Sequence, residues 1–152
     1  MAEKERYHRA IILEDDPKFA DDFMLQVERG LAELFVVDAN FDFVYLSRQK
    51  RPEVGPEEYL SPNIARAKYS YWANAYLLSS NAAKRMVAAD LPHNLVPTDE
   101  FIPMMYGSHV MLEEWAPYFP NRQFQAYAID PLPIAQDFEY DAFGKVISSS
   151  TA

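Results

Sequence analysis

The sequence predicts an α/β fold, because short apolar strands alternate with a segment of helical periodicity. Ala10–Leu13 is a continuous apolar run, which is typical of a buried strand. Phe41–Leu46 is a second strand, rich in aromatic and β-branched residues. Between the two strands, apolar residues recur at mostly helical spacing from Phe19 to Phe35. This order of strand, helix and strand is the pattern of a small α/β domain with about four strands.

The boundaries of the first helix and of the next connection follow from prolines. Pro17 ends the first strand and is predicted to lie near the first turn of the helix. The stretch Ser47–Ala67 carries three prolines, a glycine and scattered charge without periodicity. It is therefore predicted to be a long exposed loop, and loops of that length in compact domains tend to be functional.

The second half of the chain continues the alternation. A third strand is predicted around Ala75–Leu78, and a helix at about Ala82–Ala89 that is capped from Ser79–Asn81. Thr98 or Asp99 is expected to open a short helical turn, and Gln125–Ile129 reads as the last strand.

Composition excludes several classes of function. The chain has 152 residues, a net charge of −9 and no cysteine. The negative charge argues against nucleic acid and anionic membranes as partners, since both favour basic patches. Without cysteine, disulfides and thiolate metal sites are impossible. The charged N-terminus does not resemble a signal peptide, and no apolar run approaches the ~20 residues of a membrane span. We therefore expect a cytoplasmic protein.

The acidic run Glu14-Asp15-Asp16 is the first candidate site. It ends the first strand, and ligands of open α/β sheets collect at the carboxyl ends of strands. Carboxylates at such a position can hold a divalent cation, which in turn holds phosphate oxygens. The alternative is helix capping by Asp16. On the residues alone, both interpretations stay open.

Three further groups are candidates for chemistry. Asp99 and Glu100 precede an apolar pair, so that a carboxylate there can have a raised pKa and act as a general base; a helix cap is the alternative. His109 follows a glycine and is either a metal ligand or an ordinary loop histidine. The aromatic segment Tyr69–Trp72 suits sugar stacking, but it is equally typical of a core.

Five segments, in order along the chain, resemble glycosyltransferase family 25, which includes bacterial lipooligosaccharide and animal procollagen galactosyltransferases. Ile12–Asp16 is similar to the family's Leu-Glu-Asp-Asp metal motif, and Phe41–Leu46 to its Trp-Asp-hydrophobic-Tyr strand. Tyr69–Ser79 resembles its Tyr-Ser-Tyr-Trp segment, with Ala82–Arg85 following like its next helix. Val96–Phe101 resembles its Pro-Val-Asp-Glu-Phe motif, which brings the chain closest to the procollagen branch.

The resemblance implies a GT-A-like (Rossmann-like) fold, a UDP-sugar donor, a Mn²⁺ ion and inversion at the anomeric carbon. Carried over by position, Glu14 and Asp16 would bind the metal with His109, and Asp15 would contact the diphosphate. Asp99 or Glu100 would be the base or an acceptor contact. The sugar pocket would be lined by Tyr71 and Trp72. The acceptor would be a hydroxyl group on a protein or a glycan.

The resemblance also implies an incomplete donor site. Members of the family carry roughly a hundred residues before the acidic motif, and only nine residues precede the strand here. We therefore expect residues 1–136 to be the C-terminal half of the catalytic domain, without the N-terminal nucleotide-binding strands, and 137–152 to be a mobile tail. The unpaired first strand would then favour self-association. The alternative function is a non-catalytic binding module that retains the scaffold.

Overall fold

A computed structural model describes residues 8–89, 96–120, 122–136, 138–140 and 146–149, and shows a mixed α/β fold. The described strands are β1 (Arg9–Leu13), β2 (Pro17–Phe19), β3 (Phe43–Lys50), β4 (Tyr59–Ser61), β5 (Ile64–Arg66), β6 (Ser70–Ser79), β7 (Ala126–Ile129), β8 (Ile134–Gln136), β9 (Phe138–Tyr140) and β10 (Val146–Ser149). The described helices are α1 (Phe23–Val37), α2 (Ser80–Ala88), α3 (Thr98–Met105) and α4 (Leu112–Trp115).

Six of these strands form the main sheet, in the order β1-β6-β3-β7-β5-β4. Only the pair β3 and β7 is parallel, and the other four neighbouring pairs are antiparallel. Two small antiparallel pairs, β2 with β8 and β9 with β10, complete the described strands. The prediction of an α/β domain is confirmed, whereas about four strands was too low a count.

Successive side chains of β3 point to opposite faces of the sheet, and each face packs against a helix to form a separate core. Phe43 and Tyr45 belong to one core, which they share with the apolar residues of α3. Val44 and Leu46 belong to the other core, together with Val27 and Leu34 of α1 and with β7. A strand that is buried on both faces is apolar at consecutive positions, as β3 is from Phe43 to Leu46.

The first helix begins later than the spacing predicts. Pro17 lies in β2, which pairs with β8, and α1 starts only at Phe23. The prediction that Pro17 lies near the first turn is therefore wrong, and the alternative of Asp16 as a helix cap is excluded, since Asp22 is the N-cap residue. The reason is tertiary: residues 17–19 find hydrogen-bond partners in 134–136, a segment that local sequence does not reveal.

The predicted loop at 47–67 is largely structured. β3 continues to Lys50, a 3₁₀ turn spans Pro52–Val54, and β4 and β5 follow. Ile64 and Ala65 are fully buried, because β5 pairs with β7 in the main sheet. Strands of three residues are too short to show a periodicity, which is why the sequence pattern missed them.

The later elements agree with their predictions. β6 contains the predicted third strand and extends it at both ends, and β7 matches the last one. Helix α2 is capped by Ser79, whose hydroxyl accepts the Ala82 N–H at 3.0 Å. Helix α3 starts at Thr98 and places both predicted acidic residues in its first turn.

Strand β1 is confirmed as a strand but not as a buried one. It is an edge of the main sheet, and among the described strands its second side has no partner. Ile11, Ile12 and Leu13 are 45%, 38% and 44% exposed, so both faces of the strand meet solvent. An edge strand with exposed apolar residues on both faces is a template for association.

The predicted tail, 137–152, is only partly described. Its residues 138–140 and 146–149 pair as β9 and β10, and its other residues lie outside the described part of the chain. Within the described ranges, no helix has the length and apolarity required to cross a membrane.

Replacement of Gly30 by alanine is expected to destabilise the fold. A Cβ atom at this position of α1 would lie 2.7 Å from Cγ1 and Cδ1 of Ile129, which is 1% exposed and held in β7. Overpacking of this kind costs about 1–3 kcal/mol. Urea denaturation of Gly30→Ala should show the loss, and the exposed helix residue Glu28 provides a control as Glu28→Ala. An unchanged midpoint would show that α1 does not approach β7 so closely.

Replacement of Ile12 by lysine is expected to reduce self-association of the chain. A charge on β1 disfavours edge-to-edge pairing with a second copy. Sedimentation equilibrium should show a concentration-dependent mass for the wild-type chain and a smaller dependence for Ile12→Lys. Val87, which is 81% exposed on α2, serves as the control as Val87→Lys. Equal association of both variants would exclude the edge as the contact.

Candidate active site

The two acidic segments predicted from sequence come close together beside the middle of β6. Glu14 follows β1, and its N–H donates to the carbonyl oxygen of Asn74 in β6 at 2.7 Å. Asp99 lies in the first turn of α3, which packs against β6. The two side chains are near enough for their charges to interact. Residues 85 positions apart in sequence thus form one acidic cluster, which consists of Glu14, Asp15, Asp16 and Asp99.

Electrostatic repulsion in this cluster acts most visibly on Glu14. Partial burial raises the pKa of its carboxyl group, and the negative charges of Asp99, Asp16 and Asp15 raise it further, in that order. Carboxylates that repel each other favour a bound cation, which would offset the repulsion. The cluster therefore has the charge that a cation site requires.

Asp16 is buried within the cluster and is not a helix cap. It is 5% exposed, and its Oδ2 accepts a hydrogen bond from Nε2 of Gln136 at 2.7 Å. Its Oδ1 is also buried and has no hydrogen-bond partner among the described residues. An unsatisfied buried carboxylate oxygen is costly, and a cation or a donor from a substrate would satisfy it.

The fit to a divalent metal rests on few protein ligands. Among the described residues, no group of three or more histidine, cysteine or acidic side chains is placed to hold an ion. Mg²⁺-like ions are commonly held by one or two carboxylates, with phosphate oxygens of the substrate and water completing the shell. Glu14 and Asp16 fit that smaller requirement through the unsatisfied Asp16 oxygen and the mutual repulsion.

Glu100 lies at the centre of a separate hydrogen-bond network. Its Oε2 accepts from the Tyr69 hydroxyl and is 2.7 Å from Nε2 of His109. Burial would raise the pKa of this carboxyl group, but the hydrogen bonds from Tyr69 and His109 outweigh it and hold the pKa below its ordinary value. This direction is opposite to the raised pKa that the sequence led us to expect of a general base.

His109 contacts Glu100 rather than the acidic cluster. Its Nδ1 accepts the Met111 N–H at 2.9 Å, so the proton of the neutral ring is on Nε2 and is donated to Glu100. The ring stacks on Trp115 and meets the edge of Tyr69. Both ring nitrogens have partners, and metal ligation by His109, which stays a prediction, would require one of the two bonds to break.

Tyr69 is a functional candidate that the sequence reasoning placed only in an aromatic cluster. Its hydroxyl lies 2.7 Å from Glu100 and 3.1 Å from the Tyr71 hydroxyl. A phenol carries one proton, so Tyr69 donates to only one of these two oxygens at a time, and Tyr71 also bonds to the Glu100 carboxylate. The Arg51 guanidinium lies 4.3 Å from the centre of the Tyr71 ring. The network thus extends from His109 through Glu100 to Tyr71.

Trp72 and Asn74 lie where the ladder between β3 and β6 is irregular. Trp72 has φ +64, a left-handed backbone that is unusual for a tryptophan, and the register shifts between residues 71 and 75 of β6. Such irregularities are common beside functional sites. Asn74, which sequence reasoning missed, is 1% exposed, and neither its Oδ1 nor its Nδ2 has a partner among the described residues.

Replacement of Glu100 by glutamine is expected to remove a pH-dependent part of the stability. A lowered pKa stabilises the folded state above the ordinary value of 4.5, and this contribution is lost as the pH falls through the folded-state pKa. The difference in unfolding free energy between the wild type and Glu100→Gln should therefore be largest above pH 5 and shrink in acid. Denaturant titrations at several pH values measure it.

The exposed Glu113 offers a matched control as Glu113→Gln. If the Glu100→Gln difference stays constant across the pH range, the carboxylate does not have the lowered pKa. The lowered pKa would also be contradicted if Glu113→Gln changed the unfolding free energy with pH by as much as Glu100→Gln does.

The amino-acid sequence was compared with those of known proteins, and it is similar to several glycosyltransferases. No family model matches the chain. The mouse protein named inactive glycosyltransferase 25 family member 3 is 34% identical over 128 residues, which are 82% of this chain and 21% of the relative. Mouse procollagen galactosyltransferase 2 is 30% identical over 129 residues, 83% of this chain and 20% of the relative. Zebrafish procollagen galactosyltransferase 1 is 29% identical over 127 residues, which are 82% of this chain and 21% of the relative.

The chain thus spans about a fifth of the length of these curated relatives. The relatives include proteins named as galactosyltransferases and a protein named as inactive. The resemblance that rested on five short segments is confirmed by matches over four-fifths of the chain. By sequence, the chain is a homologue of glycosyltransferase 25 family members.

Proposed function

We propose that this chain supplies the catalytic residues for metal-dependent, inverting transfer of galactose, or a related hexose, from a UDP-sugar to a hydroxyl group. The proposed scaffold is the GT-A type. The proposed acceptor is a polypeptide hydroxyl, as the names of the procollagen galactosyltransferase relatives suggest. The cytoplasmic location expected from the sequence stays a prediction.

The meeting of the two acidic segments is the observation that supports this proposal most strongly. Burial raises the pKa of Glu14 and the charge of Asp99 raises it further, so the carboxylates at the strand end and at the helix start lie within range of each other's charge. A metal-dependent transferase needs carboxylates of two kinds. One kind binds the cation, and a separate carboxylate accepts the proton of the acceptor hydroxyl group. No such need exists in a domain that only binds a partner.

The proposed roles of the acidic residues combine the family resemblance with the contacts that each side chain makes. Glu14 and Asp16 would hold Mn²⁺ or another divalent cation, which neutralises the charge of the departing diphosphate when it is bound. Asp15 would contact the diphosphate. Asp99 is our choice for the base, because Glu100 already accepts hydrogen bonds from Tyr69 and His109 and has a lowered pKa.

The chemistry of this assignment balances without a further reactant. The acceptor oxygen forms a bond to the anomeric carbon as the bond from that carbon to the diphosphate oxygen breaks, with inversion. The acceptor proton passes to the carboxylate of Asp99, and the nucleoside diphosphate leaves. Glu100, held by two donors at Oε2, would accept a hydrogen bond from a substrate hydroxyl at its other oxygen. Trp72 and Tyr71 would line the sugar pocket.

The alternative function is a non-catalytic binding module that retains the glycosyltransferase scaffold. The observation that favours it is the relative named as inactive, which is 34% identical to this chain. The acidic cluster speaks for the enzyme, since the buried Asp16 has a carboxylate oxygen without a partner among the described residues, and like charges around it cost stability without a ligand.

Replacement of Asp16 by alanine is expected to abolish coupled binding of Mn²⁺ and UDP. Removal of a direct ligand should weaken the Mn²⁺ affinity about 10-fold or more, since even second-shell changes cost that much. Isothermal titration calorimetry with Mn²⁺, with UDP and with both measures the coupling. Turnover of UDP-galactose is then measured in the longest natural form of the protein.

Two further variants make this test specific. Asp16→Asn keeps the size and the contact to Gln136 but removes the charge, and it should behave like Asp16→Ala. Asp21→Ala removes an exposed carboxylate outside the cluster and should bind like the wild type. If Asp16→Ala retains wild-type Mn²⁺ binding and turnover, the metal site is assigned to the wrong residue.

A further inference from the structure

A cleft with basic walls lies next to the Glu100 network. Its volume is about 480 Å³, within the range of sites for small ligands. It is lined by the end of β3, the turn that follows, Tyr59, and the two residues before β6 (Lys50, Arg51, Pro52, Val54, Gly55, Pro56, Glu57, Tyr59, Lys68, Tyr69). Three of these residues are cations in a chain whose net charge is −9.

The wall of the cleft is held in place by a buried ion pair. Arg48, whose side chain is fully buried, binds both carboxylate oxygens of Glu57, and the Lys68 N–H donates to the same carboxylate at 3.0 Å. On the other side, Gly55 adopts φ +76 at the end of the 3₁₀ turn, a conformation that favours glycine. The segment 51–57 is therefore fixed to the sheet, and the cleft is preformed.

The charges on the wall are not fully neutralised. Glu57, the only acidic residue among those that line the cleft, is paired with Arg48 below it. Lys50 binds Asp130, and Arg51 binds Glu53 at the outer edge. Within the described residues, Lys68 has a hydrogen bond from Nζ to the Val54 carbonyl oxygen at 3.2 Å, but no carboxylate partner. The cleft therefore favours a negatively charged group.

The cleft and the acidic cluster lie on different sides of the first turn of α3. Asp99 of that turn interacts with Glu14, whereas Glu100 binds Tyr69, which lines the cleft. Along β6, Tyr71, which bonds to Tyr69, precedes Asn74, the neighbour of Glu14, by three residues. One turn of helix thus separates a negatively charged site from a positively charged one.

We propose that this cleft binds a carboxylate side chain of the polypeptide acceptor, next to the residue whose hydroxyl group is modified. The inference rests on the proposed function, in which the donor diphosphate occupies the acidic cluster with its cation and leaves the cleft for the second substrate. Lys68, the cation without a carboxylate partner among the described residues, contacts the carboxylate, and the aromatic rings of Tyr59 and Tyr69 contact the peptide. Specificity for acidic sequences around the hydroxyl group follows.

The test is a titration of the whole ¹⁵N-labelled chain with two blocked peptides, followed by NMR. The peptides are Gly-Glu-Ser-Glu-Gly and Gly-Gln-Ser-Gln-Gly, which differ only in charge. The glutamate peptide should bind about fivefold more tightly, since partly exposed ion pairs contribute up to about 1 kcal/mol. It should shift the amide signals of residues 50–57 and 68–69. Added salt should remove the difference between the peptides.

Three variants assign the effect to the cleft. Lys68→Met should bind both peptides equally, and Lys68→Arg should restore the preference. Lys84→Met, on the exposed face of α2, should behave like the wild type. The proposal is overturned if the two peptides bind equally to the wild type, or if Lys84→Met loses as much as Lys68→Met. It is also overturned if UDP alone displaces the glutamate peptide, because the cleft would then be a nucleotide site.

Failure of the cleft proposal can be distinguished from failure of the proposed function, because the peptide titration contains neither metal nor nucleotide sugar. If the glutamate preference is found but the longest natural form does not turn over UDP-galactose, the proposed function fails and the cleft remains a peptide site. If turnover is found but the preference is absent, the cleft proposal fails alone.

Discussion

The position of β6 between β1 and β3 is the constraint on which the rest of the structure depends. This strand of ten residues pairs antiparallel with both neighbours, so it fixes the acidic end of β1 on one side and the buried β3 on the other. Its last residue caps α2, and its beginning carries Tyr71 and Trp72. The positions of these features relative to one another therefore depend on the course of β6, including its irregular stretch at Trp72.

Charge is distributed unevenly around the first turn of α3. On one side burial and then the repulsion among carboxylates raise the pKa of Glu14, and on the other the donors Tyr69 and His109 lower that of Glu100. Asp99 and Glu100, adjacent residues of the same helix, thus interact with different partners. Environments that separate the behaviour of neighbouring carboxylates are characteristic of sites that handle protons and anions at neutral pH.

Sequence patterns predicted the elements that have an internal period or a strong local signal. Ser79 was identifiable as a cap, and the apolar runs identified β1, β3 and β7. The patterns failed where a short segment depends on a distant partner: β2 needs 134–136, and β5 needs β7. Burial of β1 was also predicted wrongly, because an apolar run does not reveal whether other strands cover it.

For the site, the sequence by itself determined which residue types are available: an acidic strand end, an acidic helix start, a histidine and an aromatic segment. Only the tertiary structure decided their partners. It brought Asp99 within range of the charge of Glu14, paired His109 with Glu100, and packed the segment 54–57 against Lys68 and Tyr69. The physical reason is that strand and helix periods specify local direction, whereas contacts between segments tens of residues apart depend on how the sheet is assembled.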